Sequence, residues 1–170
     1  RMLNYTPTKR ILFLVDRNNL ARQTEAEFSQ FDRTEGQEEM SFLYEIKRLK
    51  KESDIKADIV ISTIQKLFAV LTGQKFSEDA EDEKTTTDEE KETNEVITLD
   101  DNLKLPSDYF QFIIVDECHR SIYGKWKAVL DYFSEAKVLG LTATPTPEAY
   151  AYFDNNIIEE YTYDESVVDG

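Results

Sequence analysis

Along this chain, wholly apolar runs alternate with stretches whose apolar residues recur at helical spacing. The run ILFLV at 11–15, closed by Asp16, is apolar at every position. That is the pattern of a strand buried on both faces of a parallel sheet, not of one with a solvent face. After it, Leu20, Thr24, Phe28 and Phe31 recur near helical spacing, with Asn18 or Asn19 available as the N-cap. They predict a helix that packs back on the sheet. The segment SFLYEIKRLKK at 41–51 reads in two ways. Leu43, Ile46 and Leu49 fit a helix, whereas Tyr44, Ile46 and Arg48 fit an edge strand, and periodicity does not arbitrate so short a run. The unit then repeats. DIVIS at 58–62 predicts a strand, and Ile64, Leu67, Phe68 and Leu71 stand at i, i+3, i+4 and i+7 of a helix. FIIVD at 112–116 predicts the next strand, followed by a helical stripe of Trp126, Val129, Leu130 and Phe133. AKVLGL at 136–141 predicts a fourth strand, which runs into TATP. Strands alternating with helices imply parallel pairing through right-handed crossovers, hence a three-layer α/β domain with a mainly parallel sheet between helices.

Charge changes the picture only after it is localised. The 170 residues carry a net charge of −15, which at first sight argues against a nucleic-acid partner. Residues 77–101 hold twelve acids against two lysines, so this stretch carries −10 and the other 145 residues only −5. Its apolar content, Ala80, Val96, Ile97 and Leu99, is too small to offset the entropy of ordering, so a mobile acidic insertion is expected. With 40% hydrophobic residues, the rest suffices for one ordinary core. The longest apolar runs fall far short of the roughly 20 residues that span a bilayer, and no charged-then-apolar leader opens the chain. These features argue against membrane insertion and against secretion by a visible leader. Cys118 and His119 are the single cysteine and histidine, which excludes an internal disulfide and a zinc site of Cys and His ligands. A cytoplasmic location fits that usage. Because the chain opens on Arg1, it is expected to be a piece of a longer protein or a processed product.

In open parallel sheets the functional crevice lies outside the carboxyl ends of the strands, so polar residues just past strand ends carry the chemistry. Here they are Asp16-Arg17, Ser62-Thr63, Asp116-Glu117 with His119 and Arg120, and Thr142-Ala143-Thr144. Asp116-Glu117 is the sharpest pair. A carboxylate aimed into the crevice from a strand end can hold Mg²⁺, usually through water, and its neighbour can orient an attacking water as general base. Taken alone, the pair reads more readily as a solvated turn after a strand, because such dipeptides are common. Ser62-Thr63 is equally a helix N-cap, and Arg17 a surface charge. Cys118 beside the acids lacks a free histidine base and reads as a small packing residue.

The order of these segments narrows the choice. FLVDRNNLARQ, VISTIQ, FIIVDECHR and GLTATP resemble, in sequence order, motifs Ia, Ib, II and III of superfamily 2 helicases and translocases. The longer matches STIQKLF, FQFIIVDECHRSIYGKW and LGLTATPTPEAYAYF, with the tail IIEEYTYDESVVDG, are similar to the motor region of type I restriction enzyme R subunits. Type III restriction subunits and repair translocases share the inner motifs but less of the flanking sequence. An RNA helicase is disfavoured, because its motif Ia usually carries Pro-Thr where this chain has Asp16-Arg17.

The resemblance implies that 1–170 is part of a RecA-like first motor lobe, working with ATP and Mg²⁺ on double-stranded DNA beside specificity and methylation subunits. By position it implies Asp116 for Mg²⁺ through water and Glu117 for the attacking water. His119 would couple the nucleotide site to Thr142, Ala143 and Thr144. Asp16, Arg17, Leu20 and Gln23, together with Ser62, Thr63 and Gln65, would lie along DNA. Hydroxyls, amides and helix N-termini contact phosphate without reading sequence, which suits a translocating motor. The phosphate loop G-x-x-x-x-G-K-[ST] is absent from these residues: no two glycines stand five apart, and Gly124-Lys125 is followed by Trp126. In the family that loop precedes motif Ia, so it is expected before Arg1, and the chain alone is expected to be inactive. A non-catalytic domain that has kept the lobe and lost its loop remains the reading from another class.

Overall fold

The computed structural model describes residues 3, 6–31, 44–74, 99, 103–120 and 123–160. Among them, five strands form one sheet: β1 (Ile11–Val15), β2 (Ile46–Arg48), β3 (Ile59–Thr63), β4 (Phe112–Val115) and β5 (Lys137–Gly140), in the order β2-β3-β1-β4-β5. Every neighbouring pair is parallel. The helices are α1 (Asn18–Gln30), α2 (Ile64–Thr72), α3 (Gly124–Tyr132) and α4 (Pro147–Tyr152), with short 3₁₀ turns at Glu52–Lys56 and Cys118–Arg120. From β1 the chain moves outward to β2 and back to β3, then crosses β1 to reach β4 and β5. Right-handed crossovers in opposite directions put helices on opposite faces.

The alternation of side chains records that arrangement. Leu12, Leu14, Val60, Ile113 and Val115 face a core shared with Ile64, Leu67 and Leu71 of α2 and Trp126, Val129 and Leu130 of α3. Val15 and Ile61 face the other way, onto Ala21, with Phe13, Leu20, Phe28 and Ile46 packed around them. The Phe13 and Phe28 rings meet edge to face at 5.5 Å and fasten α1 to β1. This is the three-layer α/β architecture expected from the sequence. The ambiguous segment resolves as the edge strand, since Ile46 pairs with Ile59 and Arg48 with Ile61. Its residues 41–43 lie outside the described set, as does the acidic stretch 77–101 apart from Leu99.

Two details of α1 correct the sequence reading. Neither asparagine caps it: Arg17 holds the N-cap position without a side-chain cap bond, while Asn18 is drawn into the interior. Phe31 is not on the packed face. The helix stops at Gln30, and Phe31 turns outward at 57% exposure. In the carboxyl-terminal part, α4 begins with Pro147 at its first turn and the Thr146 hydroxyl accepting from the Ala149 N–H at 3.2 Å. A proline there loses no helical bond, because that N–H has no partner within the helix.

Candidate functional site

The strand order reverses between β1 and β4, and their carboxyl ends open a cleft of about 420 Å³. It is lined by Asp16, Arg17, Asn19 and Leu20 from the β1 side and by Glu117, His119, Arg120 and Thr144 from the β4 and β5 side. Such a switch point is where open α/β sheets bind ligands. Residues 97 to 128 positions apart in sequence therefore share one cleft.

The turn after β4 is tightly specified. Asp116 donates its N–H to the Leu14 carbonyl at 2.9 Å, so β4 stays paired with β1 up to the acidic pair. The Asp116 carboxylate accepts the Glu117 N–H at 3.1 Å. Glu117 adopts φ 52°, a left-handed conformation that costs a non-glycine residue about 1–3 kcal/mol and is kept only when surroundings enforce it. Enforcement comes from Arg120, whose N–H donates to the Glu117 carbonyl at 3.0 Å, and from Cys118, whose N–H donates to Leu141 at 2.9 Å. The consequence is a Glu117 side chain 41% exposed to the cleft.

His119 ties the carboxyl ends of β4 and β5 together. Its Nδ1 lies 3.0 Å from the Thr142 hydroxyl, 3.4 Å from that of Thr144 and 3.3 Å from the Glu117 carboxylate. Thr142 in turn accepts the Thr144 N–H at 3.1 Å, so the TAT turn is braced from within. Ala143 is exposed. On the other wall the Asp16 carboxylate receives Arg120 at 2.5 Å and Arg17 at 3.5 Å. Asp16 thus serves two arginines and presents them.

Motif-like residues farther along are placed differently from the expectation. Ser62 and Thr63 are 1% and 2% exposed, because β3 is a central strand covered on both sides. The Ser62 hydroxyl donates to the Thr63 carbonyl at 2.8 Å. Thr63 occupies the N-cap position of α2 without a side-chain cap bond. Neither hydroxyl faces solvent, so any phosphate contact at this point falls to backbone N–H groups of the first turn of α2. Gln65 is partly buried, and Gln23 is exposed on α1 outside the cleft lining. Leu20 is both a cleft residue and a packing residue of the α1 face.

A buried polar cluster behind the cleft escaped the sequence reading. The Asn18 side-chain oxygen accepts from Lys66 at 3.1 Å and from Arg48 at 3.0 Å, and Arg48 also pairs with Glu25 at 3.3 Å. Asn18, Arg48 and Lys66 are 5%, 6% and 1% exposed. The cluster fixes the first turn of α1 against β2 and α2. Its signal in the sequence is the one charged residue, Lys66, in the mainly apolar helix Ile64–Thr72.

The family profile described as "Type III restriction enzyme, res subunit" matches residues 1–147. The chain belongs to that family. Every cleft residue from Asp16 to Thr144 falls inside the matched range of this res-subunit family. Among curated relatives, the type I restriction enzyme EcoAI endonuclease subunit of Escherichia coli is 31% identical over 170 residues, covering 95% of this chain and 16% of its own length. The SsaAORF53P endonuclease subunit of Staphylococcus saprophyticus is 30% identical over 138 residues, covering 81% of this chain and 12% of the relative. The SauCOLORF180P endonuclease subunit of Staphylococcus aureus is 28% identical over 138 residues. The chain therefore spans 12% to 16% of the length of the first two relatives, and it corresponds to a helicase-like portion of an R subunit.

In this res-subunit domain the junction of the β4 turn with β5 is close-packed. Cys118 is buried, and burial pushes its thiol above the usual range, as fits a packing residue. A Cβ on Gly140 would lie 2.7 Å from Cys118 Sγ and 2.9 Å from both Cys118 Cβ and Phe153 Cζ. Gly140→Ala is expected to cost about 1–3 kcal/mol as overpacking. A thermal midpoint lowered by several degrees checks it, and an unchanged midpoint would show that the turn yields freely. No helix among the described residues is long and apolar enough to cross a membrane.

Proposed function

We propose that this chain is the greater part of the first RecA-like lobe of an ATP-dependent DNA translocase, within the R subunit of a type I restriction endonuclease. One observation carries the reading: Glu117 is held in a strained turn at the end of β4, bonded through His119 to Thr142 and Thr144, in a cleft shared with Asp16 and Arg17. Strain of this kind is concentrated at functional sites.

The residues present fit the cation and water side of a nucleotide site. Asp116 is a hard oxygen donor at a fixed strand end, suited to Mg²⁺ held through water, and the ion would neutralise phosphate charge on ATP. Glu117 takes the proton of the attacking water, and His119 holds that carboxylate in position at 3.3 Å. Thr142 and Thr144 feel any movement of His119 through their hydroxyls, with Ala143 at the exposed apex of their turn. Arg17 and the first turns of α1 and α2 lie toward the DNA backbone, and Gln23 and Gln65 extend that track. In this reading Asp16 acts by holding arginines, since a carboxylate repels phosphate. Contacts of this class carry no sequence information, so specificity resides in a partner subunit. The net charge of −15 makes DNA affinity of the lobe alone weak, because phosphate neutralisation dominates such binding.

The description of the matching family favours a second reading, the res subunit of a type III enzyme. Co-purification of the gene product with separate specificity and methylation subunits would favour the first, and its absence the second. For translocation itself, the gene product as the cell makes it, assembled with those subunits, is expected to displace a third strand from duplex DNA when ATP is added. Hydrolysis without displacement would refute translocation. Residues 1–170 alone, lacking a phosphate loop, are expected to hydrolyse no ATP above background; Asp116-dependent turnover by them would contradict this.

A further inference from the structure

β1 and β4 run side by side as far as Leu14 and Val115, and the last backbone bond between them joins Asp116 to Leu14. Beyond it the two chains diverge, one into α1 and the other into the 3₁₀ turn Cys118–Arg120. Arg120 reaches back across this gap. Its Nη1 donates to Asp16 Oδ2 at 2.5 Å, joining residues 104 positions apart. The side chains are 24% and 12% exposed, so the pair is partly desolvated and interacts more strongly than a surface pair. Through its own N–H, Arg120 also holds the Glu117 carbonyl at 3.0 Å. A rotation of the Glu117 peptide out of its φ of 52° therefore moves Arg120, and with it Asp16 and the attached Arg17.

We propose that the Asp16–Arg120 ion pair is the positioning contact through which the turn bearing Glu117 drives the turn bearing Arg17. The proposal rests on the motor reading above. The contact makes the response of hydrolysis to DNA depend on two residues that do not themselves meet the reacting atoms. A static brace at the same place would have a different signature, because it would support both turns without linking their states.

A double-mutant cycle separates these cases in the gene product as the cell makes it, read as the ratio of DNA-stimulated to unstimulated ATP hydrolysis. Asp16→Asn and Arg120→Gln are each expected to lower that ratio about tenfold, within the usual range for coupling between sites. The double variant is expected to lower it no further than one single change, because the two groups act as one unit. Multiplied effects in the double variant overturn the proposal. So does a lowered melting temperature with an unchanged ratio, which is the mark of a brace. Asp16→Glu and Arg120→Lys keep both charges and guard against loss of folding; they are expected to give smaller reductions in the same non-additive pattern, and an unchanged ratio in both overturns the proposal. If the unaltered protein hydrolyses ATP with no response to DNA, the motor reading falls as well. A responsive protein with independent Asp16 and Arg120 sinks only the coupling.

Discussion

Glu117→Gln is expected to stop ATP turnover in the intact subunit while leaving ATP binding in place. The substitution keeps the size of the side chain and a carbonyl oxygen for His119, which now lies 3.3 Å from the carboxylate. It removes only the capacity to take a proton. Loss of a positioned general base lowers turnover by about 10²–10⁴-fold. The φ of 52° at this position is unaffected by the exchange of oxygen for nitrogen, so the turn and its bonds to Arg120 and Cys118 persist. Turnover measured beside nucleotide affinity checks the prediction. Unchanged turnover would remove Glu117 from the chemistry, and an equal loss of binding would mean that it holds nucleotide rather than water.

The second large effect lies in the core. Phe133, fully buried where α3 turns toward β5, meets Phe110 edge to face at 5.3 Å and Tyr132 at 5.1 Å. Phe110, also fully buried, meets Tyr109 at 5.1 Å, so four rings lock α3 against the strand entering the site. Phe133→Ala removes the ring and leaves a cavity that the sheet cannot close, at a cost of about 3–5 kcal/mol. For a chain of this size the melting temperature is expected to fall by on the order of 10 °C. A fall under about 2 °C would mean that the aromatic cluster rearranges freely and does not hold the β4 turn.

How far the sequence disclosed this follows from where each signal resides. β1, β3 and β4 were legible because strands covered on both faces are apolar at nearly every position, and all three are central. The edge strand β2 was not, because Ile46 is only partly buried and Arg48 is buried through Glu25 and Asn18, contacts that no periodicity reveals. Phe31 failed because spacing continues past the point where the helix ends. The start of α4 was announced by Thr146-Pro147, a capping signal that periodicity alone passes over.

In the site, Asp116, Glu117, His119, Thr142 and Thr144 were readable as polar residues directly after buried strands, and the structure brings His119, Glu117 and both threonines together. The burial of Ser62 and Thr63 was not readable, since hydroxyl residues at a strand end look the same in a central strand as in an edge strand. The pairing of Asp16 with Arg120 was hidden as well. A contact across 104 residues exists only once β1 and β4 are neighbours.

The central claim is that the acidic pair at the end of β4 drives ATP hydrolysis that DNA accelerates. Mg²⁺-dependent hydrolysis by the gene product as the cell makes it, with and without double-stranded DNA, tests it most directly when set beside Asp116→Ala. The account predicts hydrolysis that needs Mg²⁺, rises with DNA and is lost in the variant. Hydrolysis that persists in Asp116→Ala, or none in the unaltered protein with DNA present, would contradict it.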